Sequence, residues 1–460
     1  MNDLTPLLPP ARTTRRTALT LLAGGIAAAS TASPQIAKAA AALPRLATPE
    51  QIEAERVILS LLPDPALKQL QATLAAELAT TPRGKMPNAA ARLNGAIAQW
   101  TNSLLFGEIS NYRAQPAFLW GTDDTPRTWL GHTLGGVGTS GDNPDAIYRS
   151  AVIDGGGQYE ILGQIDLAHR PAQFQIEADA ADMTQPAHLF GPKKLTDTPS
   201  LAITTDRQMN IAPDGSFRIT VNGPGPGSNN LKTPSGRVTI GVRDILSDWT
   251  QRAALLRIRR LDTVAPAQFS PADIRTHLLA DLPGYIRFWS AFPDIWMGGL
   301  KPNSFAQPKK RPGGWGFVAG LRFQLAPDEA AAVTTTQGPA LYTGFQIIDP
   351  WMIAPDARRH QCCLNLTQAT PDADGAFTYV IAQTDPGVAN WLDTTGLHDG
   401  FGIMRWQNIP ADMTSDGLIR DYRVIKLADA PALPGIARIT PEERRQQLAA
   451  RVCGYNSRTA

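Results

Sequence analysis

Several short blocks occur twice in this chain, in the same order, and that duplication limits its fold more than any other feature. Asp214-Gly215-Ser216-Phe217 opens an alternating run that leads to Pro226-Gly227, Asn230-Leu231, Thr233, Gly236 and Arg243. Asp374-Gly375-Ala376-Phe377 opens a second run leading to Pro386-Gly387, Asn390-Trp391-Leu392, Thr394, Gly396 and Arg405. The Asp-Gly and Pro-Gly pairs recur after 160 residues, the leucine after 161 and the arginine after 162, so small loop changes reconcile the copies. Ala146-Ile147-Tyr148 through Ile153-Asp154 and Ala340-Leu341-Tyr342 through Ile348-Asp349 read as matching upstream strands. A unit this long exceeds the period of solenoid modules and predicts two copies of a β domain.

The expected fold is therefore mainly β with helical additions: two jelly-roll-like β-sandwich lobes, an N-terminal helical region, a helical connector and a C-terminal helix. Phe217, Ile219 and Val221 alternate with polar residues, as do Val238, Ile240 and Val242, so each run has one buried face. Phe377 to Ile381 and Phe401 to Trp406 are more apolar throughout than the first-copy runs and read as strands covered on both sides. Asp154-Gly155-Gly156-Gly157 signals a hairpin between Ala146–Ile153 and Gln158–Gly163. Thr48-Pro49, Ser270-Pro271 and Thr440-Pro441 each place a hydroxyl at an N-cap with proline in the first turn. They begin a helical region to about Phe106, broken at Pro63–Pro65 and Pro82–Pro87, a connector over about Pro271 to Trp289, and a charged helix around Glu442 to Arg451. The expected divisions are a signal peptide over 1–39, the helical region over 40–110, the first lobe over 111–265, the connector over 266–312, the second lobe over 313–435 and the C-terminal helix and tail over 436–460.

Thr14-Arg15-Arg16-Thr17 precedes a short uncharged run to Ser30, and Ala37-Lys38-Ala39 supplies small residues for cleavage. This predicts twin-arginine export, the export machinery as a partner, and a periplasmic or secreted protein without a permanent membrane anchor. A net charge of +2, with no basic stripe, argues against nucleic-acid binding. Cys362 and Cys363 are adjacent and are expected to be free buried thiols, with Cys453 able to reach either.

Asn143-Pro144-Asp145-Ala146-Ile147-Tyr148, the turn after it, and above all Asp385-Pro386-Gly387-Val388-Ala389-Asn390-Trp391-Leu392 resemble the domain-of-unknown-function 1214 family over about Trp100 to Pro410. The resemblance implies a β-rich, jelly-roll-like fold and no assigned chemistry. The first copy departs from the pattern at Asn230-Leu231, which lacks the tryptophan.

Standard catalytic and metal motifs are missing, and neither a metal site nor a cofactor is expected. Gly131 to Gly138 is a glycine-rich surface loop rather than a phosphate loop. The second copy concentrates the candidates: Asn365, Asp385, Asn390, Trp391, Arg405 and Trp406 for a ligand, with Asp385 and Asp393 as a candidate acid–base pair. An aromatic face beside amide and charged groups suits a small molecule or glycan. On that reading the chain is an exported binding protein or a hydrolase. On a purely structural reading of the loop, Arg405 braces it by pairing with Asp385 or Asp393. Two alternative functions stand beside the first: a non-catalytic binding or assembly protein, in which the duplicated lobes provide surface, and a cofactor-loaded redox enzyme, which only the twin arginine favours.

Overall fold

The computed structural model describes residues 44–113, 115–180, 182, 184–186, 200–225, 227–263, 270–311 and 315–459. The expected twin-arginine segment and cleavage site lie outside them. Each predicted cap forms. Thr48 Oγ1 accepts from Gln51 N at 3.2 Å, Ser270 Oγ accepts from Asp273 N at 3.2 Å, and Thr440 and Glu443 form a reciprocal capping box. The resulting helices are α1 (Pro49–Leu61), α2 (Pro65–Ala79), α3 (Pro87–Tyr112), α4 (Pro271–Met297) and α5 (Pro441–Ser457). The breaks fall at the predicted prolines. Connector α4 runs eight residues beyond its expected end at Trp289, carrying Pro283 and Pro293 within it.

The protein is mainly β with helical additions, built as two sandwiches of the same strand order. In the first lobe Ala146–Asp154, Arg237–Ile245, Gln173–Asp179 and Ser200–Thr205 lie side by side, with Leu119–Thr122 on the edge. Leu255–Arg260, Tyr159–Gln164, Ser216–Val221 and Asn230–Leu231 form the facing sheet. In the second lobe the corresponding rows are Gly316–Gln324, Asp399–Gln407, Tyr342–Ile348 and Cys363–Asn365, then Ile419–Lys426, Glu329–Thr335, Phe377–Ala382 and Trp391–Asp393. Phe174, Phe217, Ile240 and Val242 fill the first core; Leu321, Phe345, Tyr379 and Met404 fill the second. Helices α1 to α4 pack their apolar faces together and against Ile348, Trp351, Phe401 and Ile403 of the second lobe, which explains why Phe401 to Trp406 is apolar on both faces.

Three expectations are corrected. Ala146–Asp154 corresponds to Gly316–Gln324, the first strand of the second lobe, whereas Tyr342–Ile348 corresponds to Gln173–Asp179. The Ala-Tyr-to-Ile-Asp likeness reflects the composition shared by buried strands, not equivalence. Asp154-Gly155-Gly156-Gly157 is no hairpin, since its flanking strands belong to opposite sheets. The chain crosses there between layers, and Gly155 passes so close to the Pro234 carbonyl that a Cβ would meet it at 2.1 Å. The third correction concerns the loop asparagine. Parallel pairing sets Asn230 and Leu231 beside Thr220 and Val221, and Trp391 and Leu392 beside Val380 and Ile381. Asn390 is thus the counterpart of Asn229, and Asn230 stands where the second copy has Trp391.

The two equivalent asparagines make the same bonds. Asn229 Nδ2 donates to the carbonyls of Asn210 and Arg218, both at 3.0 Å, and Oδ1 accepts from Asn210 N at 2.8 Å. Asn390 Nδ2 donates to the carbonyls of Thr370 and Thr378 at 2.7 and 3.2 Å, and Oδ1 accepts from Thr370 N at 2.7 Å. Each amide locks a turn to a neighbouring strand, Ser216–Val221 in the first lobe and Phe377–Ala382 in the second. Truncating either to alanine strands several buried backbone groups, so Asn229→Ala and Asn390→Ala are each expected to cost about 2–3 kcal/mol. Urea unfolding of the two single variants and the double variant tests this; a loss below about 0.5 kcal/mol in either would remove the lock.

Candidate functional site

The predicted site residues do not converge. Asn365 ends its strand in the interior between the lobes, donating from Nδ2 to Asp145 Oδ1 at 3.0 Å. Asp145 also accepts from Trp249 Nε1 at 2.7 Å and Tyr342 Oη at 2.8 Å, so the group is a closed polar network. Asp385 Oδ1 accepts from Gly387 N at 2.9 Å, and its carboxylate is gripped by Arg444 of α5 at 2.8 and 3.1 Å. Asn390 is consumed by its turn. Trp406 is fully buried and donates to Thr336 O at 2.7 Å. Arg405 donates to Gln346 Oε1 at 2.5 Å and to Gly141 O at 2.8 Å, and pairs with neither Asp385 nor Asp393. Asn365, Asn390 and Trp406 are unavailable to a ligand because internal bonds saturate them. Cys362 and Cys363 are free and buried, and Cys453 is free and exposed.

Trp391 and Asp393 do meet, on the wall of a cleft of about 470 Å³ in the second lobe. The parallel strand Trp391–Asp393 brings them there, with His360 and Asp356 from the loop before Cys362, Gln383 from the end of Phe377–Ala382, and Arg92 from α3. Trp391 Nε1 donates to Ala382 O at 2.9 Å, while Arg444 lies 5.1 Å from its ring centroid. That leaves the tryptophan 9 % exposed, a small part of its ring for the cleft.

His360 Nδ1 lies 3.0 Å from Asp393 Oδ2, and the imidazole is half exposed. The hydrogen bond to Asp393 raises the pKa of His360 above its ordinary value, against the opposing effect of partial burial. With the Nδ1 proton directed at Asp393, Nε2 is the nitrogen left to act in the cleft. Asp393 Oδ1 also accepts from Thr395 N at 2.7 Å, and Arg92 donates to Thr395 O and Oγ1 at 2.9 and 3.1 Å. These bonds hold Thr395 at φ +54°, an outlying conformation for a β-branched residue. Among the described residues no group of three or more His, Cys, Asp or Glu side chains could hold a metal ion.

Sequence reading missed His360, Arg92 and Arg444. Each lies more than thirty residues from its hydrogen-bond partner, so no local motif marks it. The duplication offered one signal: a tryptophan in one copy at the place of an asparagine in the other.

Among the described residues, no helix is long and apolar enough to cross a membrane. No protein-family model matches the chain, and no curated protein does. Among solved structures it is similar to an uncharacterised protein from Burkholderia cenocepacia, at 22 % identity and a TM-score of 0.60, over 82 % of this chain and 99 % of that one. The VPA0106 protein from Vibrio parahaemolyticus aligns at 10 % identity and a TM-score of 0.38, over 72 % of this chain and 98 % of its own, too distant a likeness to carry an argument. The first likeness extends to the fold and to nothing further.

Proposed function

We propose that the chain is an exported member of the domain-of-unknown-function 1214 family that binds a small polyhydroxylated ligand of glycan type in the second-lobe cleft. The His360–Asp393 pair would accept a proton in hydrolysis. The observation that carries this reading is that pair, set at 3.0 Å on the wall of an open cleft that Trp391 also lines. A cleft of about 470 Å³ lies within the range of about 300–1,000 Å³ common for small-ligand sites. Arg92 offers donors, the Gln383 amide oxygen, Asp356 and Asp393 acceptors, and the exposed part of the indole an apolar contact, a combination suited to hydroxyls on a carbon ring. In hydrolysis Nε2 would take a proton from the water that adds to the anomeric carbon. The glycosidic C–O bond would break and the imidazolium would return that proton to the leaving oxygen, with Asp393 orienting the ring and balancing its charge. The raised pKa places the working, neutral form at the alkaline side, so turnover should rise with pH through that pKa.

A second reading, binding without turnover, draws on one observation: the described residues lining the cleft include neither serine nor cysteine. A single experiment separates the two. Purified protein is titrated with a panel of mono- and disaccharides and assayed for cleavage of their aryl glycosides, alongside Trp391→Ala and His360→Gln. Trp391→Ala is expected to weaken binding about tenfold, and His360→Gln to leave binding within about threefold while lowering turnover at least a hundredfold. Saturable binding with no turnover would select the binding reading. No saturable binding by any sugar, or equal binding by both variants, would remove the glycan site.

A further inference from the structure

Arg243 and Arg405 occupy the same position in the two copies. Arg243 sits on Arg237–Ile245 opposite Gln175, and Arg405 on Asp399–Gln407 opposite Gly344. Two residues further along the neighbouring strand, the same register places Glu177 in the first copy and Gln346 in the second. The first copy is internally neutralised, because Arg243 pairs with Glu177 at 2.6 Å. The second is not. Arg405 meets only the neutral amide of Gln346 and the carbonyl of Gly141.

The two arginines come to one seam between the lobes, where a third joins them. Arg243 and Arg311 both lie over the Trp315 ring, at 3.5 and 4.9 Å from its centroid, and Arg243 lies 5.5 Å from the centroid of Tyr148. Among the described residues no carboxylate is within ion-pair distance of Arg311 or Arg405, and Arg243 Nε is buried without a hydrogen-bond partner. Burial, then the charges of Arg243 and Arg405, depress Arg311 to about 10. Asp142, the other carboxyl that feels Arg405, spends its oxygens on Thr139 N and Ser140 Oγ, and burial pushes its pKa up. Three partly buried guanidinium groups thus share one paired carboxylate, Glu177, with Asp142 beyond ion-pair distance of Arg405. Like charges held this way out of bulk water call for a counter-anion.

We propose that Arg243, Arg311 and Arg405 form a binding site for a compact oxyanion, a phosphate or carboxylate group, at the seam between the two lobes. Guanidinium groups bind both classes through paired N–H donors, and aromatic rings hold two of the three in place. The site is separate from the His360 cleft and does not depend on it.

The test is calorimetric titration of the full chain with inorganic phosphate and, separately, with succinate, at constant ionic strength set by sodium chloride. One of the two is expected to bind saturably at one equivalent, and which one binds more tightly identifies the anion class. Arg311→Gln should weaken that binding at least tenfold. Gln346→Glu, which gives Arg405 the internal partner that Arg243 already has, should also weaken it at least tenfold without lowering the melting temperature. That variant carries the test if Arg311→Gln does not fold. His360→Gln should bind the anion like the unaltered protein. Saturable binding by neither probe, or binding that Gln346→Glu leaves within twofold, would overturn the site.

Discussion

Arg458→Ala is expected to cost about 3–5 kcal/mol of folding stability, although it alters a residue two from the end of the chain. Arg458 is 2 % exposed, and its guanidinium donates to Asp123 Oδ2 at 2.6 Å and to the Pro144 carbonyl at 2.9 Å. Tyr455 completes the arrangement, donating to Asp123 Oδ1 at 2.7 Å while its ring lies 3.8 Å beneath the guanidinium carbon. Removing the arginine leaves Asp123 buried without its cation, which is the expensive half of breaking a buried pair. The loss should spread to the cleft, because α5 also carries Arg444, which grips Asp385 and covers Trp391. Denaturant unfolding of Arg458→Ala, Asp123→Asn and the double variant measures the effect, and the double variant should cost less than the sum of the singles. A single-variant loss under about 1 kcal/mol would show that the pair is not holding the C-terminal helix.

That helix shows where sequence reading succeeds and where it stops. Its start was legible from Thr440-Pro441-Glu442-Glu443, because capping is local chemistry. Its buried side was not. Arg444, Arg451 and Arg458 are spaced by seven residues, two helical turns, and line one face, yet arginine at such spacing reads as solvated charge until its partners are known. Those partners are Asp385, Cys363 with the Ala357 and His360 carbonyls, and Asp123, all remote in sequence.

The same division holds for the candidate site. Duplication gave away the strand content of both lobes and directed attention to Trp391, where the copies differ. It gave no information on which side chains face outward, because Asn390 and Trp406 become internal only once the second lobe folds, and Asn365 only once the lobes pack together. The informative comparison proved to be between equivalent positions of the copies. Asn229 and Asn390 repeat identical bonds, which marks them as scaffold, whereas Glu177 and Gln346 differ beside repeated arginines. A difference of one charge at an otherwise duplicated position is visible in sequence only after the strand register is known, since the strands concerned are offset by 169 residues rather than 160 or 162.

The second large effect is expected at Glu55 of α1, which has no exposed side-chain surface. Its Oε1 accepts from Gln51 Nε2 and Arg127 Nε, both at 2.9 Å, and its Oε2 from Trp129 Nε1 at 2.7 Å, with His132 Nε2 at 2.6 Å. Arg127 in turn lies 4.1 Å from the Trp120 ring centroid. One carboxylate thereby ties the first helix to the hairpin of Arg127–Trp129 and His132–Leu134. Glu55→Ala should cost about 3–5 kcal/mol, because it leaves a buried arginine without its counter-charge. Burial pushes the Glu55 pKa up, but the charge of Arg127 and the hydrogen bonds from His132, Gln51 and Trp129 outweigh it and hold the carboxyl below its ordinary value of 4.5. A depressed folded-state pKa means that the unfolded chain binds the proton more readily. The stability from this group is therefore complete above about pH 4.5 and is lost as pH falls through the lower folded value. Glu55→Gln, which keeps the shape and removes the titration, should flatten that part of the acid limb in unfolding measurements across pH 2–7. If Glu55→Gln loses stability on acidification as steeply as the unaltered protein, Glu55 does not set the acid limit.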